Sequence, residues 1–388
     1  MSADTPTDTP EYDSAKIHDK VYSIEETEAH RHQMDQRLRR QPPVAVVPAP
    51  RQSPFIELDE MQQLASSSTP IVARYLEADA TTLLYGAKDV FKSFVALDWA
   101  CCVATGTPWQ GFPVTQGLVI YVAGEGKQGL WKRVKAWSVV NNVPMDEIQK
   151  NLKFTRYPMQ VLNDLEMMQW SVDFDVAGWG AEPALVVIDT LATNFGKGDE
   201  NSPTDCSRFL ASLNRHLRSK YQCAVLVVHH AGKKIDLGAR GGSSLTSDSD
   251  TVLKLKREKT PDHEDWERVT LYCDHIKDGE KPSPFTMQRR IVEIDIGDAD
   301  RPAATSLVLK RFMTEHEIMV RSLTNDGRSQ RQIAAEMGVG RNQVARLQKR
   351  LRDWNLIGSP SVSTSTKIGT SASVSSENPE TPATPHVH

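Results

Sequence analysis

Between residues 54 and 300 the apolar positions of the chain switch between two patterns. Short, nearly unbroken runs of Val, Ile, Leu and Tyr alternate with longer stretches at helical spacing. TTLLYG (81–86), GLVIYVAGEG (117–126), ALVVIDT (184–190) and AVLVVHHAG (224–232) predict strands. ALVVIDT is almost continuously apolar, as a strand covered on both faces should be. SFVALDWACCVATG (93–106) predicts a helix with Phe94, Leu97, Cys101 and Ala104 on one face, and GLWKRVKAW (129–137) and SRFLASLNRHLRSKY (207–221) predict two more. Strands alternating with helices imply an α/β fold with a doubly wound, mainly parallel sheet. TVLKLKRE (251–258) and RVTLYCDHIK (268–277) have no helix between them and predict an antiparallel hairpin at the sheet edge.

A second pattern follows in residues 310–358. SQRQIAAEMGVGRNQVARLQKRLRDWNLIG (329–358) predicts helix, turn, helix. Ser329 or Gln330 begins the first helix, Ile333, Ala334 and Met337 form its buried face, and Gly338 makes the turn. Val344, Leu347 and Leu351 give the second helix an apolar stripe at i, i+3 and i+7. Its outer face carries Arg341, Asn342, Gln343, Arg346, Lys349 and Arg350, side chains that can reach base edges and phosphates in a major groove. A small helical domain used for packing between subunits is the alternative. The trailing LRDWNLIG suggests a further strand or wing. The flanks differ in kind: residues 1–53 end in a proline-rich stretch and include the basic cluster RHQMDQRLRR, and residues 359–388 form a Ser/Thr/Pro tail. Both are expected to be disordered.

Composition narrows the class. A formal charge of −4 argues against wholesale coating of nucleic acid while leaving local patches open. The five cysteines show no C-x-x-C pair and read as reduced thiols. No run approaches the roughly 20 apolar residues of a membrane span, and the polar start is unlike a signal peptide, so a cytoplasmic protein without membrane contact is expected.

The candidate chemistry gathers at strand ends. After strand TTLLY come Gly86, Ala87, Lys88, Asp89, Val90, Phe91, Lys92, Ser93 and Phe94. This is the spacing of a phosphate-binding loop, G-x-x-x-x-G-K-[ST], with Phe91 at the second glycine. Such a loop needs backbone N–H groups at a helix start, a lysine for the outer phosphates and a hydroxyl for Mg²⁺; Gly86, Lys92 and Ser93 supply them. If position 91 requires φ > 0, a bulky aromatic is strained there and the loop should take a different path. Asp189 ends one strand, Glu125 another, and His229 and His230 a third. An acid beside the loop supports Mg²⁺, a second can orient or deprotonate the attacking water, and a histidine can sense the γ-phosphate. All lie at the carboxyl edge, where open α/β sheets bind ligands.

GAKDVFKSFVALDWACCVATGTPWQGFPV (86–114), VIYVAGEG (119–126), VVIDTLATNFGKGDENS (186–202), VLVVHHAGK (225–233) and ARGGSSL (239–245) resemble the RepA-like hexameric replicative helicases, a RecA-like branch of the AAA family ATPases of phages, plasmids and prophages. The resemblance assigns 54–300 to a RecA-like ATPase domain. It implies ATP and Mg²⁺ as ligands, with Lys92 on the β/γ-phosphates, Ser93 and Asp189 on the metal, Glu125 as general base and His230 coupling the γ-phosphate to DNA loops. KKIDLGARGGSSLTSDSD (233–250) is similar to the second DNA-contact loop of RecA-like proteins, and NFGKGDENSPTD (194–205) to the first. Lys233, Lys234, Arg240, Gly241 and Gly242 would therefore contact DNA. Lys277, in DHIKDGEKPSPF, or Arg240 would act in trans on a neighbour's nucleotide. The implied partners are single-stranded DNA at the core, double-stranded DNA at the helix-turn-helix, further copies in a hexameric ring, and any primase as a separate protein. The expected activity is that of an ATP-dependent helicase or translocase in replication of a mobile element. A RecA-like recombination ATPase shares every residue named, and a DNA-binding regulator with a switch-only ATPase is the reading Phe91 favours.

Overall fold

The computed structural model describes residues 56–67, 69–124, 127–231, 243–258, 268–296 and 303–358. Helix α1 (Leu58–Ser67) lies, up to Ala65, in an amino-terminal unit of its own; the chain from Ser66 onward forms the second unit.

That second unit is built on one nine-stranded sheet. Its strands are β1 (Thr81–Gly86), β2 (Leu118–Ala123), β3 (Leu152–Phe154), β4 (Pro183–Asp189), β5 (Ala224–His230), β6 (Thr251–Arg257), β7 (Arg268–Ile276), β8 (Phe285–Ile294) and β9 (Ala304–Arg311). The order is β3-β2-β4-β5-β1-β6-β7-β8-β9. The first six in that order run parallel, and β7, β8 and β9 continue as an antiparallel meander. The hairpin expected at the edge is therefore interior. Its strand β6 pairs with β1 as well as β7, and β9 is the true edge. The later strands escaped the sequence reading because FTMQRRIVEI mixes charge into its alternation.

The longer helices around the parallel half of the sheet are α2 (Lys92–Thr105), α3 (Lys127–Asn141), α4 (Met145–Asn151), α5 (Asp164–Val176) and α6 (Pro203–Leu213), the last continued by a π-helical turn (Asn214–Arg218). Side chains alternate across the sheet. Leu84, Leu226, Val228, Leu253 and Leu255 join the core under α2 and α3, and Leu83, Tyr85, Val225 and Val227 join the core on the opposite face with α6. β4 and β5 are buried on both sides, which is why their sequences lack a polar alternation. Helix α2 is buried nearly all round: beyond the predicted Leu97, Cys101 and Ala104, residues Val95, Ala96, Trp99, Ala100 and Val103 are also enclosed, and Phe94 is only half-buried.

After β9 come α7 (Glu315–Asn325), α8 (Gln330–Met337) and α9 (Arg341–Asp353). The first two start on local chemistry. Thr314 and Glu317 form a capping box, as do Ser329 and Gln332, and Gly338 ends α8 at φ 65°. Val320, Leu323, Ile333, Ala334, Val344 and Leu351 bury the shared face. Among the described residues no strand or wing follows α9. The helix runs to Asp353, and Trp354 then packs edge-on against Phe285 of β8 with ring centres 5.7 Å apart. The expected strand fails because Trp354 and Ile357 are drawn back into the core.

Candidate functional site

The loop 86–93 leaves β1 and turns directly into α2, so its backbone closes on the first turn of a helix. Gly86 is fixed by crowding: a Cβ there would stand 2.5 Å from the Leu255 carbonyl oxygen and 2.9 Å from Val90 Cγ2. Phe91 has φ 64° and ψ 23°, the left-handed conformation its glycine counterpart would take freely. The loop thus keeps the left-handed turn, and the different path expected for an aromatic does not occur. What holds it is side-chain packing. The Phe91 ring meets Phe94 edge-on at 5.9 Å, and the Arg257 guanidinium lies 5.6 Å from the Phe91 centroid while donating to the Asp89 carbonyl.

Lys92 is buried beneath the loop. Its Nζ donates to the carbonyls of Gly86 (3.1 Å) and Ala87 (2.7 Å) and lies 3.2 Å from His230 Nδ1. A protonated lysine donates there when Nδ1 carries no proton of its own. Burial pushes the ammonium down to about 8, opposed by the charges of Asp189 and Asp89. Ser93 Oγ donates to Asp189 Oδ1 at 3.1 Å, and Tyr121 Oη donates to Asp189 Oδ2 at 2.6 Å. Burial raises the Asp189 carboxyl, with the Tyr121 and Ser93 hydrogen bonds and the charges of Arg133 and Lys92 acting in the other direction.

Four of the sequence-derived residues thus converge: Lys92, Ser93, Asp189 and His230 come together from the loop and the ends of β4 and β5. His229 is fully buried one position earlier and points into the fold. Glu125 lies outside the described residues. The chain that leads to it is close to Asp189: the Gly124 amide donates to the Asp189 carbonyl at 2.7 Å, and a Cβ on Gly124 would fall 1.8 Å from Thr193 Oγ1.

Among the described residues no group of three or more His, Cys, Asp or Glu side chains could form a metal cage. The donor set fits Mg²⁺ in another way. Ser93 would supply a direct oxygen to the ion and Asp189 would support it through water.

The other expected residues fall elsewhere. Lys233, Lys234, Arg240, Gly241 and Gly242 lie outside the described residues. Lys277 is away from the loop: Ile276 pairs with Thr251, the first residue of β6, so Lys277 follows at the amino edge of the parallel strands. There its Nζ sits 3.4 Å from Asp250, which also receives Arg218 at 3.0 Å. On α9, Arg341, Asn342, Gln343 and Arg346 are exposed, as the helical phase requires. Lys349 and Arg350 are exposed on the same helix, Lys349 beside Asp353 at 3.5 Å and Arg350 paired with the buried Glu317 at 2.8 Å.

Three contributors were missed. Tyr121 reads as one more apolar strand residue until its hydroxyl is seen on Asp189. Arg133 of α3 stacks on Phe94 at 4.4 Å, and its charge acts on Asp189 and Tyr121. Arg257 ends β6 beside the loop. For Tyr121 the signal was available, a hydroxyl inside a strand ending at the site, but the two arginines depend on tertiary placement.

The loop, its lysine and hydroxyl, and the acid at the end of β4 have the arrangement of a phosphate-binding site. Residues 49–236 match the family model described as an AAA domain, a stretch that takes in the loop, Tyr121, Asp189 and His230. It ends before the antiparallel strands and the three carboxyl-terminal helices. Among solved structures the chain is similar to one described as an ATPase domain, at 14% identity and a TM-score of 0.46, over 59% of this chain and 92% of that one. No curated protein matches the chain. Among the described residues no helix is long and apolar enough to cross a membrane.

Proposed function

We propose that the chain is an ATP-dependent DNA helicase or translocase of the RepA type, serving replication of a mobile element and working as a homo-oligomeric ring. The observation that carries the reading is the meeting of Lys92, Ser93, Asp189 and His230 at one sheet edge, with Lys92 and His230 in contact at 3.2 Å.

In this reading the loop amides and Lys92 hold the β- and γ-phosphates. Mg²⁺, held by Ser93 and supported through water by Asp189, would neutralise charge developing on the phosphoryl oxygens. Glu125 takes a proton from the attacking water as the new O–P bond forms and the bond to the β-phosphate oxygen breaks. Tyr121 keeps Asp189 oriented toward Ser93. His230 shares the Lys92 ammonium, so loss of the γ-phosphate alters its hydrogen bond and can pass a signal along the chain into 233–250, the proposed DNA loop. A residue acting in trans would come from a neighbouring copy. Arg240 and Lys277 are the two candidates, Lys277 being exposed beside Asp250 at the far edge.

The test is ATP hydrolysis with and without single-stranded DNA, in the full chain and in Lys92→Ala. Turnover should rise with DNA and fall at least about 100-fold in the variant, the scale expected when a phosphate-stabilising charge is removed. Tight ATP binding without turnover in the unaltered chain would overturn the motor reading in favour of a nucleotide-switched DNA-binding regulator.

A further inference from the structure

The core side of α3 is set by Leu130, Val134 and Trp137, which are buried at i, i+4 and i+7. Arg133 stands at i+3 on that same side, half-buried, where the pattern calls for an apolar residue. One ring accommodates the charge. The Arg133 guanidinium carbon lies 4.4 Å from the centroid of Phe94, the residue that follows Ser93. Phe94 in turn meets Phe91 edge-on at 5.9 Å, and Arg257 lies 5.6 Å from the Phe91 centroid. Two arginines therefore bracket the two phenylalanines at the start of α2.

The two ends of this row are not equivalent. In the sheet order β2-β4-β5-β1-β6, Arg257 ends β6, beyond β1, and donates to the Asp89 carbonyl. Arg133 is on α3, the helix that follows β2, and its charge acts on Asp189 of β4 and on Tyr121 of β2, the hydroxyl bonded to that carboxylate. Asp189 thus feels two cations, Lys92 from the loop and Arg133 from α3. This is the side on which Ser93 and Asp189 would hold the metal, and so the side of the γ-phosphate.

We propose that Arg133 is a catalytic residue for ATP hydrolysis in its own subunit: its guanidinium, held on Phe94, donates to the γ-phosphate oxygens as the bond to ADP breaks. The proposal rests on the reading of loop 86–93 as an ATP phosphate site, and it adds a cation that acts on the reacting group from within the chain. Hydrolysis forms a bond from the water oxygen to the γ-phosphorus. It breaks the bond to the bridging oxygen, which leaves with the bonding pair on ADP. A guanidinium fixed by stacking before the reaction meets the developing charge without having to reorganise. Arg133 is tied to Phe94 of the same chain, which separates it from any cation that a neighbouring copy supplies.

The experiment measures ATP turnover and ADP affinity with Mg²⁺ in the full chain and in Arg133→Ala, Arg133→Lys and Phe94→Leu. Arg133→Ala should lower kcat by at least about 100-fold, the scale of a lost transition-state cation, and leave ADP affinity within about threefold. Arg133→Lys keeps the charge without the planar fork and should recover at least about tenfold of that loss. Phe94→Leu removes the stacking partner and should lower kcat by about 10-fold, again with ADP affinity unchanged. Arg133→Ala and Lys92→Ala mixed in equal amounts should turn over no faster than the two apart. Recovery of turnover in that mixture would move Arg133 to a neighbour's site and overturn the proposal. So would a kcat in Arg133→Ala within about threefold of the unaltered chain, or an ADP affinity that falls in step with kcat, the mark of a residue that only packs the loop. Unaltered chain that binds ADP without turnover would overturn it too, there being no transition state to serve. Failure of the underlying phosphate site is told apart from all of these, because the unaltered chain would then bind no ADP.

Discussion

Phe91 is where one residue does the most to set this loop apart. A non-glycine residue in the left-handed region costs about 1–2 kcal/mol, and here the ring's contacts with Phe94 and Arg257 offset it. The two contributions can be separated by substitution. Phe91→Gly and Phe91→Ala both remove the ring, and only Ala keeps the backbone strain. Glycine should therefore be the more stable of the pair by about 1 kcal/mol in chemical denaturation, the reverse of their usual order. Alanine at least as stable as glycine would mean that the left-handed turn is not retained at this position. Beside it, Lys92 sets a pH dependence. An unfolded lysine keeps its proton to about 10.4, while burial makes the folded one release it near 8. Below pH 8 both forms are protonated and the folded state carries the whole burial cost, about 3 kcal/mol; that cost is relieved as pH rises from 8 toward 10. A bound phosphate favours the charged form, so nucleotide binding at pH 9 should take up close to one proton, and ATP affinity should fall as pH rises above 8. Calorimetry in two buffers of different ionisation enthalpy measures the uptake. Lys92→Met should abolish it, and absence of uptake at pH 9 in the unaltered chain would contradict this protonation state.

At the scale of elements, what could be read from the chain depended on whether a segment's role was local. β4 and β5 announce themselves because both faces are covered, and Asp189 and His230 are legible as their tips. The start and end of α8 were equally plain, since a capping box and a left-handed glycine are chemistry between near neighbours. β8, β9, α4 and α5 were not legible. Arg289, Arg290 and Glu293 break the β8 pattern because one side of that strand lies near the margin of the sheet, and α5 carries exposed Leu165, Met168 and Val172 that blur its stripe. The width of the apolar face on α2 was underestimated for a related reason. Trp99 and Trp109 pack at 5.3 Å, and both Trp109 and Trp137 donate at 2.7 Å to Asp98, so a helix carrying a charge in its middle is nonetheless enclosed. Burial raises the Asp98 carboxyl, and the two indoles are what make its burial tolerable. Arg133 and Arg257 reach the phosphate loop only through such packing, and no spacing rule could have located them.

On the scale of the whole second unit, the nucleotide end of the sheet and the carboxyl-terminal helices share structure. Gln110 donates to the Leu309 carbonyl and accepts from the Arg311 amide while approaching Asp98 on the phosphate-loop helix, and Asn355 donates to the Gly111 carbonyl. On helix α9, Arg341, Asn342, Gln343 and Arg346 are exposed at the amino-terminal half. A helix whose exposed start is rich in arginine and amides, behind a tight glycine turn, suits a major groove, with its arginines neutralising phosphates or reading guanine. If Arg341 and Arg346 each meet a phosphate, Arg341→Gln with Arg346→Gln should lower duplex affinity by about 10- to 100-fold and reduce the slope of log K against log salt by about 2. Both side chains are exposed, so the melting temperature should stay within about 2 °C of the unaltered chain, which separates lost binding from lost fold. Titrating labelled duplex at several salt concentrations gives affinity and slope in one series. A slope unchanged in the double variant would remove α9 from the DNA interface and leave the three helices as a packing module.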